Sequence, residues 1–164
     1  MSIHALLEYL QSLPIPTDIR ENGWSFPIIE CVHVLAITFV VGTVVMVDLR
    51  LLGVASRQRA ISRLTTEILP WTWGGFVVAL ITGSLMFSSA AVKYFGNIPF
   101  RIKFVMMVLA GANMVVFHLT TARSMEHWDE HPSPPLLAKV AGALSITCWI
   151  GVIAAGRWIG FSDF

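Results

Sequence analysis

Three ionisable residues within the first long apolar stretch of the chain fall on one face of a predicted helix. Glu30, His33 and Asp48 lie within about 60° of one another at 100° per residue. An imidazole at membrane depth can ligate a metal or a haem iron, and a carboxylate three residues earlier can fix its tautomer. We therefore take His33 as a candidate haem or metal ligand and Glu30 as its orienting neighbour. The alternative is a structural histidine that is hydrogen-bonded in a wet crevice.

A second histidine, His118, is a candidate metal ligand on the opposite side of the membrane. It falls about 27 Å along an apolar run that starts near Phe100, so His33 and His118 differ in depth by about 18 Å if their helices run parallel. One haem bridged by both residues is therefore geometrically poor. Thioether and imidazole groups also suit copper. A copper path across the bilayer would use His33, Met86, Met114 and His118.

The composition indicates that these residues are carried by a membrane protein. Of the 164 residues, 55% are hydrophobic and 13% are charged, against roughly a quarter charged in an ordinary soluble domain. Four apolar runs, near 27–54, 70–92, 100–123 and 136–160, each have about the 20 residues that cross a bilayer. The net charge of +1, with both signs scattered, argues against nucleic acid as a partner.

The predicted fold class is all-α, a single domain over residues 1–164 that forms an integral membrane bundle of four transmembrane helices. Residues 1–22 predict an N-terminal amphipathic helix at the membrane interface, because apolar side chains recur there at helical spacing. Prolines that mark helix starts stand at Pro27, Pro70, Pro99 and Pro135. Small residues that favour close helix packing recur at Gly75, Ala79 and Gly83.

Basic residues in the first connection between the runs favour one orientation. Short cytoplasmic loops carry an excess of Lys and Arg, and the first helix usually dominates. The arginines in question are Arg50, Arg57, Arg59 and Arg63. We therefore expect a multi-pass protein of the bacterial inner membrane with both termini in the periplasm.

The stretch from His33 through Gly42 to Asp48, Arg50 and Gly53 resembles the first core helix of two kinds of small bacterial membrane protein. One is the copper-resistance-D (CopD) domain and the other is the HemJ family, in which a histidine on this helix is followed by a glycine and then an arginine. The resemblance implies haem b bound through His33 in the HemJ-like case. In the CopD-like case it implies copper handling across the membrane.

The favoured function is therefore a b-type haem protein that serves electron transfer or membrane oxidoreduction, with His33 as one axial ligand and Glu30 orienting it. The second axial ligand would be Met86, or His4 if the N-terminal helix folds over the bundle, and Arg157 would pair with a haem propionate. Two alternatives remain open. One is transport of copper or another metal, and the other is a non-catalytic subunit or assembly factor that packs against other membrane subunits or a second copy of the chain.

Overall fold

The computed structural model of the protein describes residues 2–56, 58–131 and 133–162, and these form helices joined by short connections, with no β-strand among them. Arg57, one of the arginines that favoured the orientation, lies outside this range. The α-helices are α1 (Ile3–Ser12), α2 (Pro14–Glu21), α3 (Ser25–Leu51), α4 (Ile61–Ser89), α5 (Ala91–Gly96), α6 (Ile98–Leu119) and α7 (Leu136–Trp158). Short 3-10 helices cover Thr121–His127 and Ile159–Phe161.

Four of these helical segments are long and apolar enough to cross a membrane, which confirms that part of the prediction. They are Ser25–Leu51, Ile61–Ser89, Ile98–Arg123 and Leu136–Phe161. Their large apolar side chains are largely exposed on the outside, as at Leu35, Leu80, Val108 and Ile150. Because a soluble monomer rarely exposes contiguous apolar surface on this scale, the structure indicates a multi-pass membrane protein.

Two helix boundaries differ from the expected ones, and proline explains both. Helix α4 begins at Ile61 and not at residue 70, so Pro70 lies inside it. A proline inside a helix removes one hydrogen bond and crowds the carbonyl four residues earlier, and membrane helices tolerate this because neighbouring groups satisfy the freed backbone. The N-terminal segment forms two helices and not one, because Leu13 is extended (φ −65°, ψ 153°) before Pro14, the first residue of α2.

Helices α1 and α2 pack against α4 and α5. Leu7 and Ile19 are buried, the Gln11 side-chain oxygen accepts a hydrogen bond from the Val92 amide at 2.7 Å, and Arg20 donates to the Ser89 carbonyl at 3.4 Å. These contacts fix the N-terminal helices to one end of the bundle. We call it the N-terminal end, and it comprises residues 2–24, 90–97 and 159–162. The opposite end, residues 52–60 with 120–131 and 133–135, is the loop end.

The long helices lie in the spatial order α4, α3, α7, α6. Helix α3 packs against α4 and α7, and α6 packs against α7, whereas in the described part of the chain α4 and α6 do not pack along each other. Glycines allow two of these close contacts. A Cβ at Gly75 would lie 3.0 Å from Val40, and one at Gly142 would lie 2.9 Å from the Asp48 carbonyl oxygen. The outer helices α4 and α6 meet at the N-terminal end, where the rings of Phe87 and Phe100 stack.

Arg50 organises the loop end. Its side chain is fully buried and donates to the carbonyls of Arg59 (2.8 Å), Asp129 (3.0 Å) and His131 (3.2 Å). The described residues show no ion pair between Arg50 and Asp48, which is buried beside Ser145 of α7. Arg50 therefore ties the segment after α3 to the segment before α7 through backbone groups.

The Asp129 carboxylate adds a second tie at the loop end. It accepts hydrogen bonds from the Ser62 amide at 2.7 Å and from the Ser62 hydroxyl. Burial alone would raise the pKa of Asp129. The hydrogen bonds from Ser62 and the nearby Arg50 charge outweigh burial, so the pKa is lowered. The start of α4 is thus fixed to the same loop that Arg50 binds.

Candidate functional site

The structure gives His33 a hydroxyl partner on the neighbouring helix. His33 lies on α3, half-buried, and its Nδ1 is 2.9 Å from Thr82 Oγ1 on α4. The Thr82 hydroxyl has one proton, and its oxygen is 2.7 Å from the Val78 carbonyl oxygen. Since a carbonyl only accepts, that proton goes to Val78 and the hydroxyl oxygen accepts from Nδ1–H. This network places the ring proton on Nδ1, so Nε2 carries the lone pair of the neutral imidazole. Nε2 lies 3.7 Å from the position of a Cβ at Gly83, and the Ala79 backbone of α4 also interacts with the ring.

Gly83, the next residue on α4, provides the space for this ring. A Cβ built at Gly83 would lie 2.9 Å from His33 Cε1 and 3.5 Å from Nδ1. Thr82 therefore holds the imidazole while Gly83 makes room for it. The small residues of this helix were expected to serve helix packing alone. At Gly83, the missing side chain instead makes room for the imidazole of His33.

Replacing Gly83 with Ala is expected to displace the His33 ring and break its hydrogen bond to Thr82, at a cost of about 1–3 kcal/mol for overpacking. The ¹⁵N chemical shifts of histidine-labelled protein in micelles report the ring tautomer and this hydrogen bond. Gly74→Ala is the matched control, because nothing lies within 4 Å of a Cβ at Gly74. Ring shifts that are the same in both variants would contradict the placement of His33.

A lysine that the sequence patterns did not single out also reaches this region. Lys103 of α6 is half-buried, and a Cβ at Gly156 of α7 would lie 3.6 Å from both Cδ and Nζ of the lysine. Its ammonium is close enough for its charge to act on the His33 ring. Within the described residues, Lys103 forms no ion pair or hydrogen bond. Its position in the sequence could have identified it, because Lys103 lies about 8 Å into an apolar helix. Ionisable residues at that depth are candidates for a functional role.

The contact between α4 and α6 at the N-terminal end is aromatic. The rings of Phe87 on α4 and Phe100 on α6 stack with centroids 5.4 Å apart, and Tyr94 on α5 packs 5.7 Å from Phe100. Burial and the charge of Glu30 together raise the pKa of the Tyr94 phenol, so it stays protonated at neutral pH. Glu30 itself is exposed, and the His33 ring nitrogen that it was expected to orient is bonded to Thr82.

The remaining candidates are spread over the molecule. Met86 is half-buried on α4, four residues after Thr82 and so on the same helix face. Arg157 is exposed with its guanidinium 5.2 Å from the Phe161 ring centroid, and His4 is exposed on α1. The structure therefore brings His33 together with Thr82 and Gly83, and leaves Arg157 and His4 on the surface.

His118 and Met114 of the predicted copper path are exposed on α6, near the loop end. His118 Nδ1 lies 2.8 Å from the Met114 carbonyl oxygen. His33 and His118 stand near opposite ends of α3 and α6, in line with the expected difference in depth. In the part of the chain that the structure describes, no three His, Cys, Asp or Glu side chains are grouped so that they could hold a metal ion.

Comparison with known proteins gives one match. Residues 23–162 match a family model described as "Family of unknown function (DUF6644)". No curated protein and no solved structure matches the chain. The matched residues contain all four long helices and the His33–Thr82 pair, so the site has to be interpreted from its own chemistry.

Proposed function

The chain belongs to the DUF6644 family of unknown function, and we propose that it is a membrane haem b protein in which His33 is an axial ligand. The hydrogen bond between His33 Nδ1 and Thr82 carries this proposal. An imidazole that binds a metal normally donates its other ring N–H to a fixed acceptor, which sets the tautomer and the ring orientation. Thr82 supplies that acceptor, and Nε2 is the nitrogen left for iron.

Two further features near His33 support an apolar aromatic ligand. Gly83 lies beside the imidazole, and the rings of Phe87, Tyr94 and Phe100 cluster at the same end of the bundle. Met86, on the same face of α4 as Thr82, would be the second residue to hold the iron. When bound, haem b supplies one-electron chemistry, and we propose electron transfer or membrane oxidoreduction as the role. The residues of the chain would ligate the iron, fix the ligand tautomer and exclude water.

A reduced-minus-oxidised difference spectrum of the purified protein tests the proposal. We expect an α band and about one haem per chain. Folded protein without an α band, whether empty or loaded with copper, would contradict it. Copper as the only bound group would instead support the alternative of metal handling.

We also propose that the protein lies in the bacterial inner membrane with its N-terminal end in the periplasm. The described arginines Arg50, Arg59 and Arg63 at or near the loop end support this orientation. In a background without Cys31 and Cys148, a cysteine placed at Glu21 should react with a membrane-impermeant maleimide in intact cells, and one at Glu130 only after lysis. Both positions are exposed. If the cysteine at Glu130 reacts in intact cells and the one at Glu21 reacts only after lysis, the orientation is the reverse of the one proposed. Equal labelling at both positions would mean that the two ends of the bundle do not lie on opposite sides of the membrane.

A further inference from the structure

We infer that the carboxyl group of Asp48 is a buried proton-binding site, which holds a proton while α3 and α7 are packed together and releases it to water when they separate. This inference goes beyond the proposed haem function and does not rest on it. Asp48 lies about 22 Å along α3 from His33, at 1.5 Å per residue. Its carboxyl group takes no part in the His33–Thr82 pair or in the ties that Arg50 makes at the loop end.

The Asp48 side chain is enclosed where α3 meets α7. It is 5% exposed and lies beside Ser145 of α7. Helix α7 comes close at this level because Gly142 has no side chain, and a Cβ there would lie 2.9 Å from the Asp48 carbonyl oxygen. One carboxyl oxygen, Oδ2, is buried without a hydrogen-bond partner among the described residues. A negative charge on that oxygen would have neither water nor a donor to stabilise it.

Within the described residues, no cation forms an ion pair with Asp48. Arg50, two residues later on α3, donates to three backbone carbonyls instead. Lys139 of α7 donates to the Ser133 hydroxyl at 3.1 Å. The charged side chains of α4 at this end form an exposed pair with each other, Arg63 and Glu67. An ionised Asp48 would therefore be a buried charge without a counter-charge.

A protonated carboxyl group suits these surroundings, because a neutral acid costs far less to bury than a carboxylate. Ionisable side chains buried in membrane bundles commonly mark sites that bind and pass on protons. Ionisation of Asp48 becomes favourable only when water reaches Oδ2, and the packing of α7 on α3 excludes water there. The proton is consequently released to water only if the two helices move apart.

Infrared spectroscopy tests the protonation of Asp48, because a carboxylic acid has a carbonyl stretching band that a carboxylate lacks. We expect this band from protein at neutral pH in a detergent without ester groups. Asp48→Asn should abolish it, and Glu67→Gln, which removes an exposed carboxylate from the neighbouring helix, should leave it unchanged. In the wild type, aspartate labelled with ¹³C in the carboxyl group should shift the band, which identifies an aspartate without any substitution.

Two results of that experiment would overturn the inference. If the wild type lacks the band at neutral pH, Asp48 is ionised, and a water molecule or an ion links it to a donor such as the unpartnered Nη1 of Arg50. If the band persists in Asp48→Asn, or does not shift with labelled aspartate, the proton belongs to another group.

Exchange of the proton in heavy water tests the link to helix separation. Gly142→Ala places a methyl group against the Asp48 carbonyl and should push α7 away from α3. We expect its acid band to shift to the deuterated position about tenfold faster than in the wild type, the range for an overpacking cost of this kind. Gly111→Ala is the matched control, because nothing lies within 4 Å of a Cβ there. Equal exchange rates in all three proteins would mean that proton release does not require α3 and α7 to separate.

Discussion

Replacing His33 with Ala is expected to remove bound haem, lowering the haem content of the purified protein to less than about a tenth of the wild-type value. Among the described residues of the four long helices, the histidines are His33 and His118, and His33 is the one toward the N-terminal end. A metal–imidazole bond has no substitute in an alanine side chain. The measurement is the pyridine haemochrome content per chain, together with the α band of the reduced protein. Size-exclusion chromatography and helical circular dichroism show whether the variant is folded.

His118→Ala is the matched control for this substitution. His118 is exposed near the loop end and is not brought to His33, so its removal should leave the haem content and spectrum unchanged. Haem retained in His33→Ala with the wild-type spectrum would contradict the assignment. If both variants fold and both lose haem, the two histidines act on one haem and the depth argument is wrong.

Replacing Arg50 with Met is expected to give the largest loss of stability of any single change considered. The three carbonyls that Arg50 binds belong to Arg59, Asp129 and His131. Unsatisfied buried polar groups cost about 1–3 kcal/mol each, and their effects are not additive, so we expect a loss of about 3–5 kcal/mol. That corresponds to a fall in Tm of about 10 °C for a chain of this size, measured by circular dichroism in micelles.

Arg63→Met controls for the loss of an arginine at the same end of the molecule. Arg63 pairs with Glu67 at 3.0 Å, but the two side chains are 80% and 52% exposed, and such a pair contributes only about 0.5 kcal/mol. Its Tm should stay within about 2 °C of wild type. A similar small change in Arg50→Met would mean that water replaces the guanidinium and that the buried contacts contribute little.

The four long helices were predictable because their signal is local. Twenty apolar residues in succession are enough to identify a spanning helix, whatever lies next to it. The helix boundaries were less predictable because a proline can either start a helix or lie inside one. Pro14 starts a helix and Pro70 lies inside one, and the difference depends on which residues continue the helix on either side.

The site was predictable only in part, because its partners come from different helices. His33 stands out as an ionisable residue within an apolar run. Its contact with Thr82 depends on the rotation of α3 and α4 and on how far one helix is shifted along the other. The nearness of Lys103 depends on a third helix and on Gly156 of a fourth. Residue spacing along one helix contains none of this information. Spacing alone therefore pointed to Glu30, and not to Thr82, as the residue that orients His33.

The side-by-side order α4, α3, α7, α6 has a consequence for biogenesis. Two helical hairpins, α3 with α4 and α6 with α7, are each continuous in the sequence, so each can close before the two meet. The hairpins meet along α3 and α7, and the Phe87–Phe100 ring stack and the hydrogen bonds to Asp129 also cross between them. His33 and Thr82 both belong to the first hairpin. Their contact can therefore form before the second hairpin docks, and docking completes the bundle around a histidine that is already held in place.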